Sequence, residues 1–312
     1  MIDHQSPLKR IVGPWGRAAI LLAACDGRTT VAVPSDADSK SSPECAGALT
    51  LSFVPDTAGA SETYVCFGFD AGALGDRNIS RIAWADSPPP FVLHHAKLYA
   101  IPGDYPDGPT PCAGMPAGAV GLHVWARGGG NLILPRDTGL VLPAGTRRFV
   151  VEAHVLQVGA GAPAAASVSI CPGPSAPTHL AAMMPTFAPV PAIRPQHTET
   201  SQASCVVAGP LHLFSVWPHM HLIGTEIDLD LLRGDGSITS LVAVTPWMFH
   251  AQNAYPLDVD IQEGDRIRTR CTWRNNSDAY VFPGLLTSDE MCNAGFIVWP
   301  AASAICAPVG GQ

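Results

Sequence analysis

Hydrophobic and polar positions alternate along this chain over short stretches rather than at helical spacing. β-prone runs recur at Phe149 to Val158, Leu211 to Leu222 and Ile227 to Leu232, each of a length suited to a strand. Ile227 to Leu232 and Ile238 to Val244 flank Arg233, Gly234, Asp235 and Gly236, which predicts a hairpin closed by a glycine-containing turn. The pattern breaks between Cys171 and Cys205, where Pro172, Pro174, Pro177, Pro185, Pro189, Pro191 and Pro195 fall. So many prolines are incompatible with a helix or a central strand, which predicts the domain junction there. The expectation is an all-β protein of two tandem β-sandwiches, residues 45–175 and 176–312.

Composition supports that frame. With 312 residues the chain can form two cores of ordinary size, and its 30 glycines and 30 prolines against only 14% charged residues favour strands and turns. The formal net charge is -8. Without the first 25 residues, which hold Lys9, Arg10 and Arg17 against Asp3, it becomes -10. A nucleic-acid partner is disfavoured, because phosphate binding needs a basic face.

The N-terminus has the order of a secretory signal: basic residues, an apolar run from Ala18 to Ala24, then a cysteine. Leu22, Ala23, Ala24 and Cys25 resemble a bacterial lipobox. On this reading residues 1–25 are the signal, Cys25 is lipidated, and residues 26–44 form a flexible tether. A plainly cleaved signal is the alternative. No later run reaches the roughly 18 apolar residues of a membrane span, so attachment would be through lipid and the location secreted or at the cell envelope. Setting Cys25 aside leaves eight cysteines, Cys45, Cys66, Cys112 and Cys171, then Cys205, Cys271, Cys292 and Cys306. An even set divided between the halves suits disulfides in an oxidising compartment. None are separated by the two to four residues common in zinc sites. The pairing stays open on spacing alone.

The candidate chemistry lies in His94, His95, His154, His219, His221 and Met291. Imidazoles with one thioether favour copper over zinc, calcium or magnesium. His219 and His221 are two apart, so on a strand their rings share one face. Surface histidines or a zinc pair are the competing reading. Met291 adjoins Cys292, which would fix its place, although methionine is ordinarily core filler. His94 and His95 are successive and would face opposite ways on a regular strand. Both can bind one ion only where the backbone is irregular or the ion lies between the rings. His154 could supply a third ligand, or one of the three merely bonds within the core. His4, His123, His179, His197, His212 and His250 carry no spacing signal.

Taken in order, these segments resemble the ascorbate-dependent type II copper monooxygenases, the family of peptidylglycine alpha-hydroxylating and dopamine beta-monooxygenases. Adjacent histidines are followed by Trp125, Ala126 and Arg127 with Leu134, Pro135 and Gly139. His154, the His219–Met220–His221 segment and Thr287 to Cys292 come next. The resemblance implies two jelly-roll domains whose copper sites face each other across a solvent-filled cleft. It assigns His94, His95 and His154 to an electron-transfer copper, and His219, His221 and Met291 to the copper where oxygen is activated. It implies the disulfides Cys45–Cys171, Cys66–Cys112, Cys205–Cys306 and Cys271–Cys292. It further implies two copper ions, ascorbate or another one-electron reductant, dioxygen, and hydroxylation of a substrate C–H bond.

Two positions depart from the peptide-hydroxylating members. Trp217 stands where they have an arginine, and Gly295 where they have a tyrosine. Without that carboxylate clamp, the expected substrate is small and hydrophobic or aromatic, with Trp217, Trp247, Phe249 and Tyr255 lining its pocket or else filling the sandwich core. A copper-binding or copper-buffering surface lipoprotein without turnover is the alternative function. An adhesion module with incidental histidines is a third.

Overall fold

The protein is described here by a computed structural model covering residues 29–30, 45–56, 59–86, 91–112, 114–126 and 129–308. The signal, Cys25, nearly all of the tether and Arg127 lie outside the described residues. The chain is all-β, 54% strand and 2% helical. Its first half contributes β1 (Thr29–Thr30), β2 (Leu49–Phe53), β3 (Glu62–Asp70), β4 (Ile79–Ala85), β5 (Phe91–Ile101), β6 (Gly108–Pro111), β7 (Val120–Ala126), β8 (Leu132–Ile133), β9 (Thr138–Leu140), β10 (Arg148–Gln157) and β11 (Ala166–Pro172). The second contributes β12 (His179–Phe187), β13 (Thr198–Val207), β14 (Leu211–His219), β15 (Gly224–Leu232), β16 (Ile238–Val244), β17 (Tyr255–Ile261), β18 (Arg266–Arg274), β19 (Asn293–Trp299) and β20 (Cys306–Pro308).

These strands form layered sheets. A five-stranded sheet runs β6-β3-β10-β5-β7, and a six-stranded sheet runs β1-β16-β15-β18-β13-β20. The third, β17-β14-β19-β12-β9-β4-β11-β2, passes through both halves, with β8 paired to β4. Period-two patterning explains the layering. On β18, Ile267, Thr269, Cys271 and Trp273 are buried, while the arginines between them point outward. Arg268 and Arg270 meet their register partners Asp230 and Asp228 on β15, each at 2.6 Å; cross-strand ion pairs of this kind contribute roughly 0.2–1 kcal/mol each. The predicted hairpin is β15 and β16, with Arg233 N–H donating to Ser237 and Gly236 at φ +85° in the turn. That positive φ is where glycine is favoured.

The proline-rich stretch was expected to exclude a central strand, and the structure corrects this. β12 runs through it, antiparallel to β19 and parallel to β9, so the two halves share one hydrogen-bonded sheet. Pro185 is tolerated because β9 pairs only with His179 to Ala181. Past that point β12 has an edge on that side, and a missing N–H interrupts no ladder there. The cores also meet across the junction: Ile297 belongs to the first-half cluster, against which Met183, Phe214 and Trp299 pack.

Four disulfides join Cys45 to Cys171, Cys66 to Cys112, Cys205 to Cys306 and Cys271 to Cys292, the pairs the resemblance implied. They suit an extracytoplasmic, oxidising compartment. Cys271–Cys292 spans 21 residues and anchors the segment carrying Met291. Replacing both cysteines by serine is expected to cost about 3 kcal/mol, from the chain entropy restored to the unfolded state, read as a lower urea midpoint. Asn275, in a glycosylation-like sequon, is fully buried, and its amide bonds to Ile193 and Ala279 carbonyls. It is therefore a core residue. No described helix is long and apolar enough to cross a membrane.

Candidate metal centre

A break in strand register builds the first triad. β5 and β10 pair with His154 opposite His95, but the next pair is Val155 opposite Leu93. His94 is the extra residue of a β-bulge, a device that re-aims side chains beside functional sites. It resolves the difficulty of two successive histidines, since both rings now turn toward His154. His95 Nδ1 lies 3.3 Å from Nδ1 of both His94 and His154. One ligand nitrogen from each of the three buried residues falls within 4.8 Å of the others. Neighbours fix the rings. Tyr64 stacks on His154 at 4.4 Å, and His154 Nε2–H donates to Glu62 at 2.7 Å, leaving Nδ1 as the inward acceptor.

The second cluster is built at the end of β14. His219 closes the strand, whereas His221 lies beyond it, before the turn into β15. Strand geometry therefore does not align them; their rings meet edge-to-face at 5.0 Å. His219 Nδ1–H donates to Gln252 Oε1 at 2.7 Å, and His221 Nδ1–H to the Asp289 carbonyl at 3.1 Å. Both contacts direct Nε2 toward the ligand side. His221 Nε2 is buried and, among the described residues, has no hydrogen-bond partner. A buried acceptor left bare costs roughly 1–3 kcal/mol, and a metal ion is the occupant that would satisfy it.

Met291 reaches the same corner through its backbone. One oxygen of the buried Glu290 accepts from the amides of both His221 and Met291, at 2.9 and 3.2 Å. The Glu290 carboxylate also takes Ile223 N–H and Trp273 Nε1–H. Met291 Sδ receives the Asn293 amide at 3.6 Å, and Asn293 is the register partner of His219.

The expected solvent-filled cleft is closed. His95 and His219 rings are 5.3 Å apart, and both are buried. Phe249, from the second half, stacks on His94 at 4.0 Å and meets His221 edge-on at 6.4 Å. The exposed His250 adjoins His94 at 5.7 Å. Trp217 stacks on His219 at 4.8 Å, and Trp247 Nε1–H donates to the His221 carbonyl. Three of the four aromatic candidates thus adjoin the histidines, while Tyr255 packs against the second-half core.

Burial keeps these imidazoles neutral, the state that ligates metal. It lowers His94 to about 3 and His221 to about 4, and holds His95 and His219 well below the usual histidine range. His154 is also lowered by burial, with Glu62 opposing. Burial pushes Glu290 up to about 7 against its four donors. At Glu62 burial acts upward too, but the Thr287 and His154 hydrogen bonds outweigh it and the carboxyl is lowered.

Residues 178–308 match the family of the copper type II ascorbate-dependent monooxygenase C-terminal domain. The second half of the chain is similar to the C-terminal domain of that family. The matched span holds His219, His221 and Met291, and begins after the first triad. Among solved structures, the major capsid protein P2 from bacteriophage PM2 is similar at 12% identity and a TM-score of 0.32, covering 80% of this chain and 96% of that one. An infectious bursal disease virus Gt strain structure is similar at 11% identity and a TM-score of 0.22, covering 84% and 74%. Likeness at that level bears on neither fold nor function.

Glu62, Gln252, Glu290 and His250 were not singled out from the sequence. Glu62 and His154 are 92 residues apart, His219 and Gln252 33, and no local spacing marks such pairs. Glu290, adjacent to Met291, was the one within reach of a motif.

Proposed function

We propose that this protein is a two-copper monooxygenase that hydroxylates a C–H bond of a small hydrophobic or aromatic substrate, using dioxygen and ascorbate or another one-electron reductant. The observation that carries the reading is the convergence of three buried, neutral imidazole nitrogens beside a second pair whose His221 Nε2 is bare. His94, His95 and His154 would hold one ion; His219, His221 and Met291 would hold the other. Copper there supplies one-electron redox chemistry and oxygen binding, with the thioether favouring the reduced ion. The chain's own residues do the rest. Glu62, Gln252 and the Asp289 carbonyl fix the ring orientations, Glu290 fastens the His221 and Met291 backbones together, and Phe249 with the indoles of Trp217 and Trp247 excludes water.

The substrate reading rests on one cross-strand pair. Trp217 and Gly295 are register partners on β14 and β19, and Met183 occupies the space beside Gly295. An apolar wall replaces a carboxylate clamp at this point. We further propose two jelly-roll domains, residues 45–175 and 176–312, on a secreted chain anchored through lipid at Cys25.

Wild-type protein is expected to bind two copper ions and to consume oxygen with ascorbate only when an apolar substrate is supplied. Glycine-extended peptides should turn over far more slowly, and equal turnover would overturn the substrate assignment. Two bound ions without substrate-dependent oxygen uptake would instead support a copper-buffering lipoprotein.

A further inference from the structure

A single carboxylate oxygen ties the two halves together at the metal centre. Glu62 Oε1, on β3, accepts from His154 Nε2–H at 2.7 Å, from the Thr287 amide at 2.8 Å and from the Thr287 hydroxyl at 2.7 Å. Two residues along β3, the Tyr64 hydroxyl donates to the Leu285 carbonyl at 2.6 Å, while its ring stacks on His154. Leu285 and Thr287 belong to the loop leading to Met291. That loop is therefore fastened at one end by Cys292 in its disulfide and along its length by a strand from the other half.

We propose that Glu62 is a positioning residue with two simultaneous tasks: it sets His154 with Nδ1 inward, and it latches the Met291 loop onto the first half so that the two histidine clusters stay in contact. The same atom serves both tasks, which couples them: moving the loop withdraws two donors from Glu62 and changes the partner that orients His154. Charge-assisted bonds of this kind are about twice as strong as neutral ones. Tyr64 is the second tie and steadies the same ring. The assignment of metal-ligand roles rests on the proposed function; the latch itself is a property of the metal-free chain.

The test separates these. Amide hydrogen exchange across residues 285–291 is measured in metal-free wild type, Glu62→Gln and Thr287→Val. Both variants are expected to exchange about tenfold faster there, Glu62→Gln by losing the charge on the shared acceptor and Thr287→Val by losing one charge-assisted hydrogen bond. With Cu(II) added, the electron paramagnetic resonance signal of the three-histidine site is expected to shift in Glu62→Gln and to shift less in Thr287→Val, which keeps the His154 contact but removes one of the donors that share Glu62 Oε1. Exchange within twofold of wild type in both variants would overturn the latch. An unshifted signal in Glu62→Gln would overturn the orienting task. Failure of wild type to bind copper would sink the proposed function and leave the exchange result to decide the latch.

Discussion

Replacing His221 by alanine is expected to reduce bound copper from two ions to one and to lower substrate-dependent oxygen uptake by at least about 100-fold, the loss that even an outer-shell partner can produce. The effect should be confined to the ligand. His221 is held by its backbone amide on Glu290, which the substitution keeps, and by its Nδ1 on the carbonyl of the half-buried Asp289. Its remaining nitrogen has no other described partner. His123→Ala is the matched control. That histidine is also buried, but its Nδ1 accepts from Trp84 Nε1 at 3.0 Å. Removing it should lower stability through an orphaned indole N–H and leave two ions bound. Equal copper content in His221→Ala and wild type, by metal analysis after dialysis, would refute the assignment.

The metal-free protein is expected to lose stability steeply as pH falls below about 6.5, the ordinary histidine value in an unfolded chain. Burial, the first cause in each case, holds His94 and His123 at about 3, His221 at about 4, and His95 and His219 well below their usual range. Their folded values are depressed, so the unfolded state binds protons that the folded state refuses. The stability of neutral, buried rings is fully present above about pH 6.5 and is lost as pH falls toward about 4. Each such histidine contributes a slope of up to about 1.4 kcal/mol per pH unit in that window. Urea midpoints at about pH 7.5 and about pH 5 give the check, and equal midpoints would contradict the burial argument. Added copper should raise the midpoint more at the higher pH, since protons compete for the same nitrogens.

Fold class was legible because β structure leaves a local signature. The alternation in β15 and β18 and the glycine turn between β15 and β16 are set by neighbours a few residues apart. The strand through the proline-rich stretch was not legible for a tertiary reason: Pro185 is permitted by how far β9 extends along β12, a fact about a strand some 40 residues away in sequence. At the first triad, the sequence supplied three imidazoles and a geometric objection to two of them. The bulge at His94 removed that objection, and bulges arise from the pairing of two strands rather than from either alone.

The sequence by itself determined which atoms were on offer: imidazoles in both halves, a thioether beside a cysteine, and eight cysteines divided evenly. Residue type fixes donor chemistry, and short-range alternation fixes strands. Tertiary structure alone decided where those atoms point and what holds them. The closure of His95 against His219, the Phe249 plug over His94, and the meeting of Glu62 with Thr287 join residues up to 225 positions apart. Such contacts depend on how sheets stack and which strands become neighbours, and those relations are set by burial of the whole core rather than by any local run of residues.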